Sequence, residues 1–203
     1  RGVGEPQTNQ AGEAIERSGV VHRLDRDTSG GMVLAKTPAA YEHLKQQFHD
    51  RLAKKEYRAL VYGHLNERWG TVDRPIGRSA KDWRLRSAQR GAKGTLRDAV
   101  TDWELIGQGE YETEPFAYVR LKPKTGRMHQ IRVHLKAIDR PIVGDVLYAG
   151  AKREQSNNLG LTRLALHAHV LELTLPSGEE QRFVAPVPPE LEQAVDELHE
   201  PAT

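Results

Sequence analysis

Apolar residues recur along the chain with two different spacings, and the points where the spacing changes divide it into strands and helices. The short run 31–36 (GMVLAK) predicts a buried strand. Thr37-Pro38 then offers an N-cap and a first-turn proline. Ala40, Leu44, Phe48 and Leu52 follow at helical spacing, so a helix is expected over about 38–52. Residues 56–62 (EYRALVY) read as a strand closed by Gly63, and a polar–apolar stretch over 70–76 leads into a basic segment whose Gly91 and Gly94 suit a loop or ribbon. Residues 99–106 and 116–121 alternate in polarity and predict paired strands across a turn at 107–114. Past Thr125-Gly126, the side chains of Ile131, His134, Leu135 and Ile138 share one face of a helix of about 12 residues. Residues 166–175, the turn Pro176-Ser177-Gly178 and residues 181–185 make a hairpin, and a short acidic helix follows Pro188-Pro189. Strands outnumber helices and are joined mainly by turns. The pattern predicts an α+β fold with a mostly antiparallel, mixed sheet and flanking helices, not a doubly wound parallel one. Residues 1–18 read as a polar N-terminal segment, and 19–203 as one domain.

Composition removes whole classes of function. At 203 residues, 37% hydrophobic and 29% charged, the chain suits a single domain with a modest core. It contains no cysteine, which removes disulfide scaffolds, thiol nucleophiles, zinc ribbons and iron–sulfur clusters together. No apolar run approaches the roughly 20 residues of a bilayer span, so a membrane protein is not expected. The opening stretch is polar and lacks a basic-then-apolar signal, which points to the cytoplasm. No internal repeat and no glycine-rich phosphate loop is present.

The net charge of +2 conceals a segregation. Arg78, Lys81, Arg84, Arg86, Arg90, Lys93 and Arg97 stand against Asp82 alone. Arg120, Lys122, Lys124, Arg127, Arg132 and Lys136 follow with no acid among them, whereas the C-terminal part is strongly acidic. Two basic blocks on a nearly neutral chain fit either a solvated surface or a track for a polyanion. The prevalence of arginine, whose planar fork matches phosphate and stacks on bases, favours RNA.

Three segments carry candidate chemistry. His22-Arg23-Leu24-Asp25-Arg26-Asp27-Thr28-Ser29-Gly30 sets a carboxylate among Arg23 and Arg26 before the first strand, where it could act as nucleophile or base. Residue types alone favour an ordinary turn with local ion pairs. Lys54-Lys55-Glu56-Tyr57 enters a strand, and its tyrosine suits a core position or a stacking platform for a base. Thr125-Gly126-Arg127 opens a helix whose free N–H groups, with Arg127, would form a phosphate site. On that helix Arg132 points about 140° away from Arg127, so the two arginines would do different work. His129, His134, His167 and His169 raise a metal hydrolase as a rival, although no carboxylate accompanies them in a zinc spacing.

Together these stretches resemble the RluA-type family of pseudouridine synthases. VVHRLDRDTSGGMVLAK (20–36) is similar to that family's catalytic motif, and KEYRALVYG (55–63) to its second. TGRMHQIRVHL (125–135), IVGDVLYAG (142–150) and LALHAHVLEL (164–173) are similar to those that follow. The resemblance covers about 18–188. It implies a pseudouridine synthase fold and isomerisation of uridine in structured RNA, ribosomal or transfer, with no cofactor and no metal, by a monomer. Asp25 would be the catalytic carboxylate, Tyr57 the residue stacked on the target base, and Arg132 the partner of Asp25. Arg23 would enter the RNA stack as the uridine flips out, Arg127 would bind substrate, and Leu166 would line the pocket. Gly31 and Met128 depart from the family pattern, as does the lack of the strands and S4 domain that usually precede the first motif, so an N-terminally truncated domain is expected. A catalytically silent RNA-binding protein of the same fold is the alternative.

Overall fold

The computed structural model of the protein describes residues 19–150 and 159–198. The expected polar segment 1–18 lies outside them. In chain order the strands are β1 (Ser29–Gly30), β2 (Lys54–Tyr62), β3 (Trp69–Asp73), β4 (Ile76–Arg78), β5 (Arg86–Ser87), β6 (Lys93–Arg97), β7 (Val100–Tyr111), β8 (Glu114–Pro123), β9 (Leu166–Thr174) and β10 (Glu180–Val184). The helices are α1 (Pro38–His49), α2 (Gln130–Ala137) and α3 (Pro189–Asp196). The main sheet runs β1-β9-β2-β8-β7-β3, with β10 also on β9, and only the β1–β9 pair is parallel. A small ribbon, ordered β5-β4-β6, holds the first basic block. The fold is α+β with a mainly antiparallel sheet, as expected.

Elements with strong local signals form where the pattern puts them. Thr37 Oγ1 accepts from Ala40 N at 3.2 Å and Pro38 begins α1, which lays Leu44 against Ala35, Leu171 and Leu173. The helix stops at His49 rather than 52: Arg51 takes a left-handed φ of 62°, and Leu52 is left 64% exposed. The β7–β8 hairpin closes on Glu112 and Thr113, both at positive φ, as a two-residue turn of this handedness requires. The expected turn at 107–114 thus shrinks to its last part, and Gly107 marks a register irregularity within β7.

The expected strand at 31–36 is not formed. The strand is Ser29–Gly30, paired with His167 and Ala168 of β9, and beyond it Met32 and Leu34 are exposed. Gly30 explains the early exit. It sits at φ +119°, and a Cβ there would strike the Ala168 backbone. Only glycine allows so close an approach, and the chain turns off the sheet immediately after it.

Most of the core lies around β2, β8 and the residues flanking β9, with Leu60, Val61, Phe116, Val119 and Leu121 fully buried. Ile131 and Leu135 of α2 and Leu191 and Ala194 of α3 join it. A separate small core ties the ribbon to the domain: Ile76, Ala88 and Ala99 pack with Val133 of α2 and with Tyr148. The ribbon is therefore anchored beside α2.

Candidate active site

Where β2, β9 and the start of α2 meet the segment before β1, a cavity of about 860 Å³ opens. That is within the usual range for a small-molecule or nucleotide site. It brings together all six residues singled out above: Arg23, Asp25, Tyr57, Arg127, Arg132 and Leu166.

Asp25 owes its position to two fastenings. Thr28 N donates to the Asp25 carbonyl at 3.0 Å, closing a turn, and the parallel β1–β9 pair holds the end of that turn beside Leu166. Ser29 Oγ reinforces it, lying 2.9 Å from His167 Nδ1 and accepting from Arg163 Nη1 at 3.0 Å. On the other flank, Val33 N donates to His22 Nε2 at 3.0 Å, and the His22 ring stacks on Phe48 of α1 with centroids 4.5 Å apart. Burial, helped by the nearby Lys55 charge, lowers the His22 pKa to about 4, so the ring is a neutral acceptor.

The cations facing Asp25 are not those its sequence neighbours suggest. Arg26 is spent on Asp27, with Nε 3.0 Å from Oδ1, at the surface. Arg132 instead brings Nη1 to 3.6 Å from Asp25 Oδ2, and His129 brings Nε2 to 4.0 Å from Oδ1. Arg132 is 4% exposed. Its Nε and Nη2 donate to the two oxygens of Asp145 at 2.8 and 2.7 Å, and the guanidinium lies over the Tyr148 ring at 4.9 Å. Burial opposes the charge on Arg132, yet the Asp145 bonds and the charges of both acids outweigh it and raise its pKa above the ordinary value. Asp145, 2% exposed, also accepts from Leu147 N and Tyr148 N at 3.1 Å. Two of the three guanidinium nitrogens are thereby fixed, and the third faces Asp25.

Asp145 and Tyr148 were not picked out from sequence, although both lie in IVGDVLYAG. A lone acid inside an apolar stretch was the available signal, because a buried carboxylate must find a partner.

Tyr57 follows a bulge between Glu56 and Tyr57 and stands opposite Ala168 on one side of β2 and Leu121 on the other. Burial and the Asp25 charge push its phenol up to about 12, so it presents a neutral ring to the cavity. Leu166, 3% exposed, forms part of the wall. Arg23 is exposed at the mouth, and Lys122 and Lys124 extend a basic wall toward β7.

Arg127 is at the edge, but not as the helix-start reading has it. The helix begins only at Gln130, after His129 at a left-handed φ of 56°, so the angle between Arg127 and Arg132 cannot be read off one helix. The turn ahead of the helix is braced by the Gln130 side chain, which takes up the Arg127 N–H. Gln130 Oε1 accepts from Thr125 Oγ1 and Arg127 N at 2.6 and 3.0 Å, while Gln130 Nε2 donates to Val100 O and Thr101 Oγ1. Arg127 Nε donates to the Asp98 carbonyl at 3.0 Å. The two arginines still differ in task, one buried against acids and one on the rim.

The four histidines of the metal-hydrolase reading do not converge. His134 lies 2.9 Å from Thr101 Oγ1 and 3.0 Å from the Arg74 carbonyl, and His167 and His169 both reach the Ala185 carbonyl. Among the described residues no three metal-ligating side chains form a group, and none of the helices there is long and apolar enough to cross a membrane.

A family model described as RNA pseudouridylate synthase matches residues 5–137. The chain is 41% identical over 181 residues to an uncharacterized RNA pseudouridine synthase of Synechocystis sp., covering 88% of this chain and 53% of that protein. It is 42% identical over 167 residues to the dual-specificity RNA pseudouridine synthase RluA of Escherichia coli, covering 82% and 72%. It is also 42% identical over 196 residues to the ribosomal large subunit pseudouridine synthase D of Xanthomonas campestris, covering 92% and 56%. The chain thus spans only about half the length of two of these relatives. Among solved structures, human RNA pseudouridylate synthase domain containing 1 superposes with a TM-score of 0.77 at 31% identity, covering 86% of this chain and 71% of that one.

Proposed function

The chain belongs to the RNA pseudouridylate synthase family, and from that premise we propose that it isomerises uridine in structured RNA to pseudouridine. The observation that carries the proposal is the convergence on one cavity of a carboxylate faced by a buried arginine (Asp25, Arg132), a neutral aromatic ring (Tyr57) and an apolar wall (Leu166). In this reaction the N1–C1′ bond breaks, the base turns, and a C5–C1′ bond forms, while one proton leaves C5 and one is gained at N1. The rearrangement is redox-neutral overall, and the proton lost from C5 is matched by the one gained at N1, so the proposal requires no cofactor or metal. Asp25 supplies the carboxylate, held in orientation by Arg132. Tyr57 stacks on the base and Leu166 bounds the pocket. Extrusion of the base costs a few kcal/mol. Arg23, exposed and lining the cavity, fills the gap left in the RNA stack, and Arg127 and the basic wall hold the backbone. The name of one relative, a ribosomal large subunit pseudouridine synthase, supports ribosomal RNA as the substrate class; transfer RNA as a second substrate, a monomeric state and action in the cytoplasm belong to the same proposal.

The test is carbodiimide mapping of ribosomal and transfer RNA treated with the parent or with Asp25→Asn. Discrete pseudouridines made by the parent are expected, with none made by the variant at comparable RNA affinity, because the amide keeps the shape of the side chain but cannot act as nucleophile or base. RNA bound by the parent without product would make this a silent binding protein. Turnover by Asp25→Asn would reject the assignment of Asp25.

A further inference from the structure

Beside Asp25 stands a second side chain, His129, with one ring nitrogen turned to each of two partners. Nδ1 lies 2.7 Å from the Tyr148 hydroxyl and Nε2 lies 4.0 Å from Asp25 Oδ1. The ribbon favours one direction for the first bond. Arg86 N, in β5, donates to the same hydroxyl oxygen at 3.0 Å. An oxygen already accepting there keeps its own hydrogen to give, and His129 Nδ1 is within reach to take it. A neutral imidazole has a single N–H, so that proton is left on Nε2, the nitrogen facing Asp25.

Tyr148 is well placed to hold this tautomer. It is 3% exposed, its ring lies under the Arg132 guanidinium, its N–H is on Asp145, and its carbonyl accepts from Lys136 Nζ at 2.8 Å. The charged groups around His129 are Asp25 and Arg23 from the segment before β1, Arg132 from α2, and Asp145 from the loop after it. The two acids draw a proton toward the ring and the two arginines oppose them. Burial is the largest influence and lowers its pKa below the ordinary histidine value, so the neutral form prevails at neutral pH.

We propose that His129 is a positioning residue, held by Tyr148 in the tautomer that donates from Nε2 to Asp25 Oδ1, so that together with Arg132 on Oδ2 it fixes the orientation of the carboxylate. The 4.0 Å separation is of the kind that tightens once substrate fills a site. Because the hydroxyl of Tyr148 also caps a backbone N–H of the basic ribbon, the same residue ties that ribbon to the carboxylate of Asp25. The kinetic part of this inference rests on the proposed reaction, whereas the tautomer itself does not.

The experiment therefore has two arms on the full chain. In ¹⁵N-histidine NMR spectra the parent is expected to show His129 protonated at Nε2 and bare at Nδ1. Tyr148→Phe should give a mixture of tautomers, and Asp25→Asn should shift the Nε2 signal. In steady-state turnover, Tyr148→Phe should lower kcat about tenfold at pH about 8 with KM for RNA little changed, the size expected for a hydrogen bond to a charged group. That defect should narrow as pH falls, because the imidazolium carries a proton on Nε2 whatever Tyr148 does. His129→Gln, whose side-chain N–H lies near the Nε2 position, should keep more activity than His129→Ala. A proton on Nδ1 in the parent, a Tyr148→Phe defect equal at every pH, or equal activities of the Gln and Ala variants would overturn the inference. If the parent turns over no RNA but keeps the Nε2–H tautomer and its response to Asp25→Asn, the pseudouridine reading fails and the positioning of His129 stands.

Discussion

Asp145→Asn isolates what the buried acid contributes. In the parent, four N–H groups meet this carboxylate: Arg132 Nη2, Leu147 N and Tyr148 N on Oδ1, and Arg132 Nε on Oδ2. Asparagine can keep the Oδ1 acceptor, but it removes the charge and sets an NH₂ group against Arg132 Nε. Removing one member of a buried ion pair costs about 3–5 kcal/mol, because the other charge is left without compensation. Asp25, with Oδ2 at 3.6 Å from Arg132, remains as a partial counter-ion, so the lower end of about 3 kcal/mol applies. For a chain of this size each kcal/mol moves Tm by about 2–4 °C, which gives a fall of about 6–12 °C by calorimetry. Turnover should fall as well, since the guanidinium loses the bond that aims Nη1 at Asp25. A paired replacement separates the two effects. Arg132→Met combined with Asp145→Asn removes the stranded guanidinium yet keeps the Oδ1 acceptor for Leu147 N and Tyr148 N, and should recover part of the lost stability while restoring no activity. The reasoning fails if Asp145→Asn unfolds within about 1 kcal/mol of the parent. It fails equally if the double variant is the less stable of the two.

The ribbon and the segment before β1 give two further predictions. Replacing Arg84, Arg86 and Arg90 with alanine should weaken RNA binding and flatten its salt dependence, each lost phosphate contact removing about 0.7–0.9 from the log–log slope. Arg84 is paired with Asp82 at 2.7 Å, but at the surface such a pair is weak enough to yield to phosphate, and an unchanged slope would make the ribbon an ordinary solvated surface. Burial holds the His22 pKa at about 4 in the folded protein against the ordinary 6.5, so the unfolded chain binds more protons between those two values and stability must fall as pH drops through that window. After allowing for partial solvent contact, the loss should come to about 2 kcal/mol. His22→Gln, which retains an acceptor for Val33 N, should lose correspondingly less on acid unfolding by urea, and parallel pH curves for the two proteins would count against the assignment.

How much of this was legible in the sequence depended on whether the deciding partner was local. Thr37, Pro38 and the apolar spacing after them define α1 within one segment, and the alternation on both arms of the β7–β8 hairpin does the same there. The run at 31–36 has the composition of a strand, but its fate is decided by the Ala168 backbone, which occupies the space a side chain at Gly30 would need. Nothing near residue 30 reveals that. The site divides along the same line. Asp25, Tyr57 and Arg132 were placed by resemblance, and a helical angle measured from Arg127 would have misled had it been used alone, since Gln130 turns its amide back and starts the helix three residues later.

Asp145 and Tyr148 belong to neither case. Their roles come from a distant partner, yet physical chemistry narrows that partner sharply. A carboxylate among Ile142, Val143, Val146 and Leu147 must be exposed, protonated or paired, and in a basic chain pairing with an arginine is the outcome that best relieves the cost of burial. Asking of each polar residue in an apolar stretch what would satisfy it leads from Asp145 to Arg132, and from Arg132's remaining nitrogen to Asp25. That chain of bonds, closed by one ion pair, rather than the spacing of any motif, is what sets Arg132 against Asp25.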